Sequence, residues 1–325
     1  MGRLGRLAAG LATTAAITLT ASGCMTVHGE LEVVPSATKA EAAQALAAFT
    51  AAYNKADKAY DPALDAGRVT GPLGAINQAG LKARHVTTPA GNAQHSDLKL
   101  TDAKFIIPKK AGWPRWFIAD TDSNRDQDGG SGDTRWLVVF VRDAVDQQWK
   151  AAYLSVLRPS AVPDFVTDKD GWAQPAEPAD ASLAVAPQKL SGEYAAYLKS
   201  GRPDHFAPGN DTTAWRQARE KNANLPGLST QYVDRALTDG DYRPLGLAIR
   251  GGGALVFFST RYYEQQTAAK GLHLTVPADV KALTTGDAKS TITKELVSSQ
   301  VALVPAKGQV TILGRQAGLT AAKGS

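Results

Sequence analysis

The sequence predicts an α+β protein of two domains, each built from helices followed by a curved antiparallel sheet. An alanine-rich, amphipathic segment comes first after residue 36. Strand-like segments follow it at spacings too short for helical crossovers, which favours antiparallel pairing. The same order of elements then returns after a proline-rich stretch. A chain of 325 residues is also long for a single core.

The first predicted helix begins at Thr38. Thr38 and Glu41 have the spacing of a capping box, in which each side chain satisfies a backbone N–H of the first turn. Leu46, Phe49 and Tyr53 recur three and four positions apart and therefore form one apolar stripe. The alanine content supports the same prediction, since alanine has the highest helix propensity.

After a second predicted helix at residues 71–85, the apolar residues change to the period of a strand. Residues 136–141 are apolar on both faces, so this strand is predicted to lie in the middle of a covered sheet. The four strands predicted in this half are residues 97–108, 114–120, 134–143 and 148–157.

Five prolines fall within residues 159–187, a sparsely apolar stretch that we interpret as the interdomain connection. It divides a first α+β domain, residues 37–158, from a second, residues 188–325. In the second domain, the predicted helices are residues 190–201 and 212–223, and the predicted strands are residues 230–238, 243–250, 253–266, 294–305 and 308–316.

The N-terminal residues have the pattern of an export signal. Arg3 and Arg6 make the start basic, and Leu7–Thr20 is an apolar run of the length of a signal-peptide core. This run is shorter than the roughly 20 apolar residues that span a bilayer as a helix. It ends in Ala21-Ser22-Gly23-Cys24, which resembles the lipobox of bacterial lipoproteins.

The resemblance implies that residues 1–23 are a signal peptide, that Cys24 carries the lipid (palmitate) through its thiol, and that residues 24–36 are a tether. Cys24 is the one cysteine of the sequence, which excludes an intramolecular disulfide. The implied location is the extracytoplasmic face of the cell membrane, with the lipid bilayer as a partner. The alternative interpretation is a secreted protein with a free thiol at the end of its leader.

Charge makes nucleic acid an improbable partner. Loss of Arg3 and Arg6 with the signal peptide lowers the formal net charge from +5 to +3. The remaining charges are mixed along the chain without the basic stripe that binds phosphates.

An aspartate-rich run at residues 120–133 lies between two predicted strands and is close to a calcium loop in spacing. A calcium loop of the EF-hand type has a glycine at position 6 and a carboxylate at position 12. If position 1 is Asp122, position 6 is Gln127 instead of glycine. If position 1 is Asn124, position 12 is Arg135 instead of a carboxylate. Because both registers fail, we predict a hairpin loop, with a cation site as the alternative. No metal, cofactor or catalytic residue is predicted.

Gly251–Gly253 indicate a hairpin turn between two strands rather than a phosphate loop.

Helices followed by a long antiparallel sheet resemble the cystatin-like cone fold shared by nuclear transport factor two and SnoaL-type proteins. With its lipobox and the stretch "YNKADKAYD…VTGPLGAINQAG", the chain is also similar to two-domain lipoproteins of unknown function from high-GC Gram-positive bacteria. The cone fold implies a cavity between helix and sheet, and we assign its lining to Tyr53, Trp116 and Trp136. The alternative for these aromatic residues is ordinary core packing.

Two functions follow from this resemblance. The first is a non-catalytic binding or scaffold module, with a small apolar ligand or an envelope protein as its unidentified partner. The alternative is a SnoaL-like enzyme acting on a small cyclic substrate, for which Asp57 is the one acid that the sequence nominates.

Overall fold

The computed structural model describes residues 32–325, which form a mixed α+β fold with two large sheets and five short to medium helices within that range. The helices are α1 (Lys39–Ala59), α2 (Gly71–Thr87), α3 (Leu190–Ser200), α4 (Trp215–Ala223) and α5 (Ala278–Ala282). The strands of the N-terminal half are β1 (Val34–Pro35), β2 (Leu100–Ile106), β3 (Lys109–Lys110), β4 (Arg115–Ser123), β5 (Arg135–Arg142) and β6 (Lys150–Leu157). The remaining strands are β7 (Asn224–Leu225), β8 (Leu228–Leu237), β9 (Leu245–Ala248), β10 (Ala254–Ala268), β11 (Thr284–Thr285), β12 (Thr291–Val304) and β13 (Thr311–Gly324).

The first sheet has four antiparallel strands in the order β2-β4-β5-β6, and its four strands match the four predicted from sequence. The apolar strand β5 lies inside the sheet, where Phe140 pairs with Phe117 of β4 and Val139 pairs with Tyr153 of β6. The short strands β1 and β3 pair separately.

The second sheet has seven strands, with the order β11-β13-β12-β10-β8-β7 and with β9 paired to β10. All of its pairs are antiparallel except the short β11–β13 pair. Gly251–Gly253 connect β9 to β10 with positive φ values of 85°, 96° and 100°, so the predicted hairpin turn is confirmed.

Helix α1 covers one face of the first sheet. The predicted capping box is present: Glu41 N donates to Thr38 Oγ1 at 3.1 Å, and Thr38 N donates to Glu41 Oε2 at 2.8 Å. The helix buries Leu46 and Phe49 against the sheet, and the Phe49 ring meets the edge of Phe140 with 5.9 Å between the ring centroids.

Helices α3 and α4 cover the outer face of the second sheet. Tyr194 of α3 is fully buried and packs edge-to-face on Phe258 of β10. Arg219 of α4 makes a two-pronged ion pair with Asp234 of β8, at 2.7 and 2.9 Å, although both side chains are almost completely buried. Such pairing offsets the desolvation of both charges.

The uncovered faces of the two sheets pack against each other. Leu137 and Val139 of β5 share one apolar cluster with Leu255 and Phe257 of β10 and Val301 of β12. The result is a four-layer arrangement in the order helix, sheet, sheet, helix, because each sheet is apolar on both faces and needs a cover on each side.

The proline-rich stretch at residues 159–187 runs between the edges of the two sheets. Ala173 N donates to Ile107 O at 2.9 Å, and Ala176 N donates to Gly246 O at 2.8 Å. Ala173 is itself 3% exposed and belongs to the cluster shared by the sheets. The predicted domain boundaries stay a prediction, but this connection is packed and hydrogen-bonded rather than a free linker.

Helix α2 belongs to the N-terminal half of the chain and packs on β12 and β13 of the C-terminal half. Its Ile76 lies directly over Gly318 of β13, where a Cβ atom would come within 2.5 Å of Ile76 Cγ2. At the start of the helix, the Thr70 hydroxyl donates to the Asp241 carboxylate. The two halves are therefore interlocked by a helix as well as by the faces of their sheets.

No helix within residues 32–325 is long and apolar enough to cross a membrane.

We expect Gly318→Ala to lower the free energy of unfolding by about 1–3 kcal/mol, because the added methyl group forces Ile76 out of its position. Urea unfolding measures this change. In an Ile76→Ala background the same substitution should cost much less, and an equal cost in both backgrounds would contradict the contact. Gly192→Ala is the matched control, since Gly192 lies exposed on α3 with no atom within 4 Å of the added methyl group; it should be neutral or stabilising.

Candidate functional site

A groove of about 590 Å³ opens where the proline-rich connection passes between the two sheets. Its walls come from four separate segments of the chain: the segment from β3 to the start of β4, the connection, the turn before α3, and the β8–β9 loop with the start of β9. The lining residues are Lys110, Pro114, Trp116, Pro175, Ala176, Glu177, Pro178, Gln188, Thr238, Asp239, Arg243, Pro244, Leu245 and Gly246.

The floor of the groove is apolar. Trp116 and Leu245 are 4% and 9% exposed and belong to the cluster shared by the two sheets. Pro175 and Pro244 extend the apolar surface from the connection and from the β8–β9 loop. A concave site of this volume with largely apolar walls is typical of small-molecule pockets.

Two cations lie in the walls of this groove, Lys110 and Arg243. Lys110 Nζ donates to Pro114 O at 2.7 Å. Burial lowers the pKa of the Lys110 ammonium, and the positive charges of Arg243 and Arg115 lower it further, while Glu177 acts in the opposite direction. The groove therefore combines an apolar floor with walls that carry two cations, Lys110 and Arg243, and two acids, Glu177 and Asp239.

The β8–β9 loop is held in place by Tyr153 of the first sheet. Tyr153 is fully buried, and its hydroxyl donates a hydrogen bond that is shared by Tyr242 O, at 3.0 Å, and Arg243 O, at 2.9 Å. Burial raises the pKa of the Tyr153 hydroxyl well above its usual range. Arg243 Nε in turn donates to Gly240 O at 2.6 Å, which fixes the guanidinium at the rim.

The three aromatic residues assigned to a ligand cavity are not brought together. Tyr53 packs with the apolar cluster under α1, and Trp136 occupies the same face of β5 as Val138 and Phe140. Trp116 points to the opposite face of the first sheet, where it packs against the second sheet and lines the groove. The expectation of one cavity formed by all three is thus corrected, because the register pairs Trp116 with Val141 and Trp136 with Thr121, which places the two indoles on opposite faces of the sheet.

The aspartate-rich run connects β4 to β5, which pair antiparallel, so the predicted hairpin loop is confirmed. Carboxylate oxygens of Asp122, Asp126 and Asp128 lie within 4.8 Å of one another. Asp126 also accepts the Thr134 hydroxyl, and Asp120 is paired with the guanidinium of Arg135 at 2.7 Å. Three partly exposed carboxylates fall short of the six to eight oxygen ligands that calcium takes, so this cluster is not assigned as a metal site.

Asp57, the acid nominated for an enzyme, is held in a hydrogen-bonded group at the end of α1. His95 Nδ1 lies 2.7 Å from Asp57 Oδ2, and His95 Nε2 lies 2.8 Å from Asp97 Oδ1. These two hydrogen bonds raise the pKa of the His95 imidazole. Asn92 also donates to Asp57, so this carboxylate fixes the loop after α2 rather than facing the groove. Cys24, the predicted lipid attachment site, lies outside the described residues.

Comparison with known proteins agrees with the lipobox. Residues 33–324 match a family model described as a domain of unknown function, DUF8094. An uncharacterized lipoprotein of Streptomyces avermitilis is 55% identical over 327 residues, which covers 99% of this chain and 96% of the relative. An uncharacterized lipoprotein of Streptomyces coelicolor is 55% identical over 324 residues with the same coverage, and a second one from that organism is 27% identical over 224 residues, which covers 65% of this chain and 60% of the relative.

We expect Tyr153→Phe to lower the free energy of unfolding by about 1–3 kcal/mol, because it removes the one donor shared by two loop carbonyl groups while keeping the buried ring. Urea unfolding measures the change. Tyr197→Phe is the matched control: the Tyr197 ring is also buried, but its hydroxyl donates no hydrogen bond to a residue of the described part. Equal effects of the two substitutions would contradict the role assigned to the Tyr153 hydroxyl.

Proposed function

The chain belongs to the DUF8094 family and is similar to two uncharacterized Streptomyces lipoproteins, and from this premise we propose that it is a lipid-anchored binding protein of the cell envelope. Its ligand is a small molecule bound in the groove between the two sheets. The observation that carries the binding role is this groove of about 590 Å³, which has an apolar floor and walls fixed by hydrogen bonds from both halves of the chain.

Anchoring is supported by the N-terminal pattern together with the relatives. Basic residues, an apolar run and small residues precede Cys24, the one cysteine available to take a lipid. Lipoproteins carry more than one acyl chain, and two membrane signals give stable anchoring where one gives only weak attachment. With the lipid on Cys24, residues 24–36 act as the tether that places the folded part at the extracytoplasmic face of the membrane.

A cystatin-like cone fold for both halves is also part of the proposal. In each half a helix lies across one face of an antiparallel sheet, α1 on the first and α3 on the second. In this arrangement the space between helix and sheet is filled by side chains such as Phe49 and Tyr194. The binding site is therefore at the contact between the halves rather than inside either one.

We expect Cys24→Ser to move the protein from the membrane fraction to the soluble fraction, because the serine hydroxyl does not accept the lipid that the thiol carries. Fractionation of the native host with immunodetection measures the distribution, and mass spectrometry of the wild-type N-terminus identifies the acyl chains. Ser22→Ala serves as the control beside it and should leave the protein in the membrane. Retention of the Cys24→Ser protein in the membrane would contradict the anchor.

We expect native mass spectrometry of residues 25–325, purified under gentle conditions from a high-GC Gram-positive host, to show a reproducible extra mass of a few hundred daltons. Gln188→Trp should abolish it, since an indole at this exposed lining position fills the groove. Gln217→Trp makes the same change at an exposed glutamine on α4, away from the groove, and should retain the extra mass. If the same fraction of both variants carried the extra mass, the groove would be excluded as the site.

A further inference from the structure

We propose that the groove selects a ligand with an apolar body and one anionic group, and that Lys110 binds the anion. This inference rests on the proposed function, because it names the class of ligand for the same groove. The anionic group is a carboxylate, sulfonate or phosphate, since each offers oxygen acceptors to an ammonium donor.

The apolar requirement comes from the floor. The buried side chains of Trp116 and Leu245 and the rings of Pro175 and Pro244 offer no hydrogen-bond partner apart from the indole N–H. A polar ligand body would lose its water there without replacement. The volume of about 590 Å³ suits one ring system or one short chain, whereas a two-chain phospholipid is too large.

The anionic requirement comes from the distribution of charge around the groove. Lys110 is partly buried and uses one of its three N–H donors on Pro114 O, which leaves two donors. The acids of the lining, Glu177 and Asp239, are both exposed and therefore hydrated at the rim. The more buried of these charged lining groups are thus the cations Lys110 and Arg243, whereas both acids are exposed.

Repulsion among cations supports the same conclusion. Burial is the largest cause that lowers the pKa of the Lys110 ammonium, and the positive charges of Arg243 and Arg115 lower it further, while Glu177 acts in the opposite direction. A bound anion relieves this repulsion and is hydrogen-bonded by a cation that is already partly desolvated. Such charge-assisted bonds are stronger than neutral ones.

The adjacent lysine supplies an internal comparison. Lys109 Nζ lies 2.6 Å from Asp168 Oδ2 and 3.6 Å from Asp170 Oδ2, and these carboxylates raise its pKa. Lys109 does not line the groove. Lys109 and Lys110 are neighbours with the same charge, but Lys109 is paired with surface carboxylates, whereas Lys110 lines the groove.

Two fluorescent probes test the inference because they differ by a single group. 1-Anilinonaphthalene-8-sulfonate has an aromatic body with one sulfonate, and N-phenyl-1-naphthylamine has the same body without it. Residues 25–325, which contain every element described here, are titrated with each probe at low ionic strength. We expect the affinity for the sulfonate probe to be at least about tenfold higher than the affinity for the neutral probe.

Lys110→Met keeps the length of the side chain but removes its charge, and it should reduce the affinity for the sulfonate by about tenfold while leaving that for the neutral probe unchanged. Lys109→Met should change neither affinity. Circular dichroism confirms folding of each variant, and Lys110→Gln replaces Lys110→Met if the latter does not fold. Gln188→Trp should weaken the binding of both probes, because it fills the groove.

The outcomes separate the two proposals. Equal affinities for the two probes, or no effect of Lys110→Met on their ratio, would overturn the anionic ligand class, while loss of both probes in Gln188→Trp would still support a binding groove. If Gln188→Trp left the binding of both probes intact, they would bind elsewhere, and the groove would be excluded along with the ligand class.

Discussion

The fold depends on strand β5 being apolar on both faces. Val138 and Phe140 face α1, and Leu137 and Val139 face the second sheet, so neither side can be left to water. Helix α1 covers one face, and the other face packs against the second sheet. Burial against a second sheet that is itself apolar on both faces solves this problem for both halves at once. The interlocking of the halves through α2 and the packed connection follow from that shared layer.

Local patterns were sufficient to predict most of the secondary structure. The capping box at Thr38, the predicted strands and the glycine turn between β9 and β10 each depend on neighbouring residues, and each has a counterpart in the structure. The two-residue strands β7 and β11 and the end of β13 beyond residue 316 were not predicted. The local pattern does not predict which face of a strand packs against which partner. In β4, Trp116 and Phe117 are both apolar, so alternation shows that they lie on opposite faces but not which one faces α1. The assignment of Trp116 to the cavity under the helix was wrong for this reason.

The groove was beyond the reach of sequence patterns. Its lysine, prolines and arginine come from segments that are far apart in the chain, and no local motif links Lys110 to Pro175 or Arg243. Proline density at residues 159–187 was visible and was interpreted as the interdomain connection, whereas in the structure two of these prolines, Pro175 and Pro178, line the groove. Prolines fix φ and remove a donor, so they serve equally in an exposed linker and in a rigid apolar surface. Composition does not distinguish these uses.

The crossing of α2 onto β13 also governs the order in which the chain can fold. Helix α2 is complete early in synthesis and packs on β6 of its own half, yet its other main partner, β13, is the last strand described. The contact of Thr70 with Asp241 at the start of the helix joins positions 171 residues apart. Contacts of such long sequence separation form slowly, because the entropy of closing the intervening chain must be overcome before they stabilise anything. The N-terminal half consequently emerges with an exposed apolar helix and sheet face, and consolidates only after the C-terminal strands arrive.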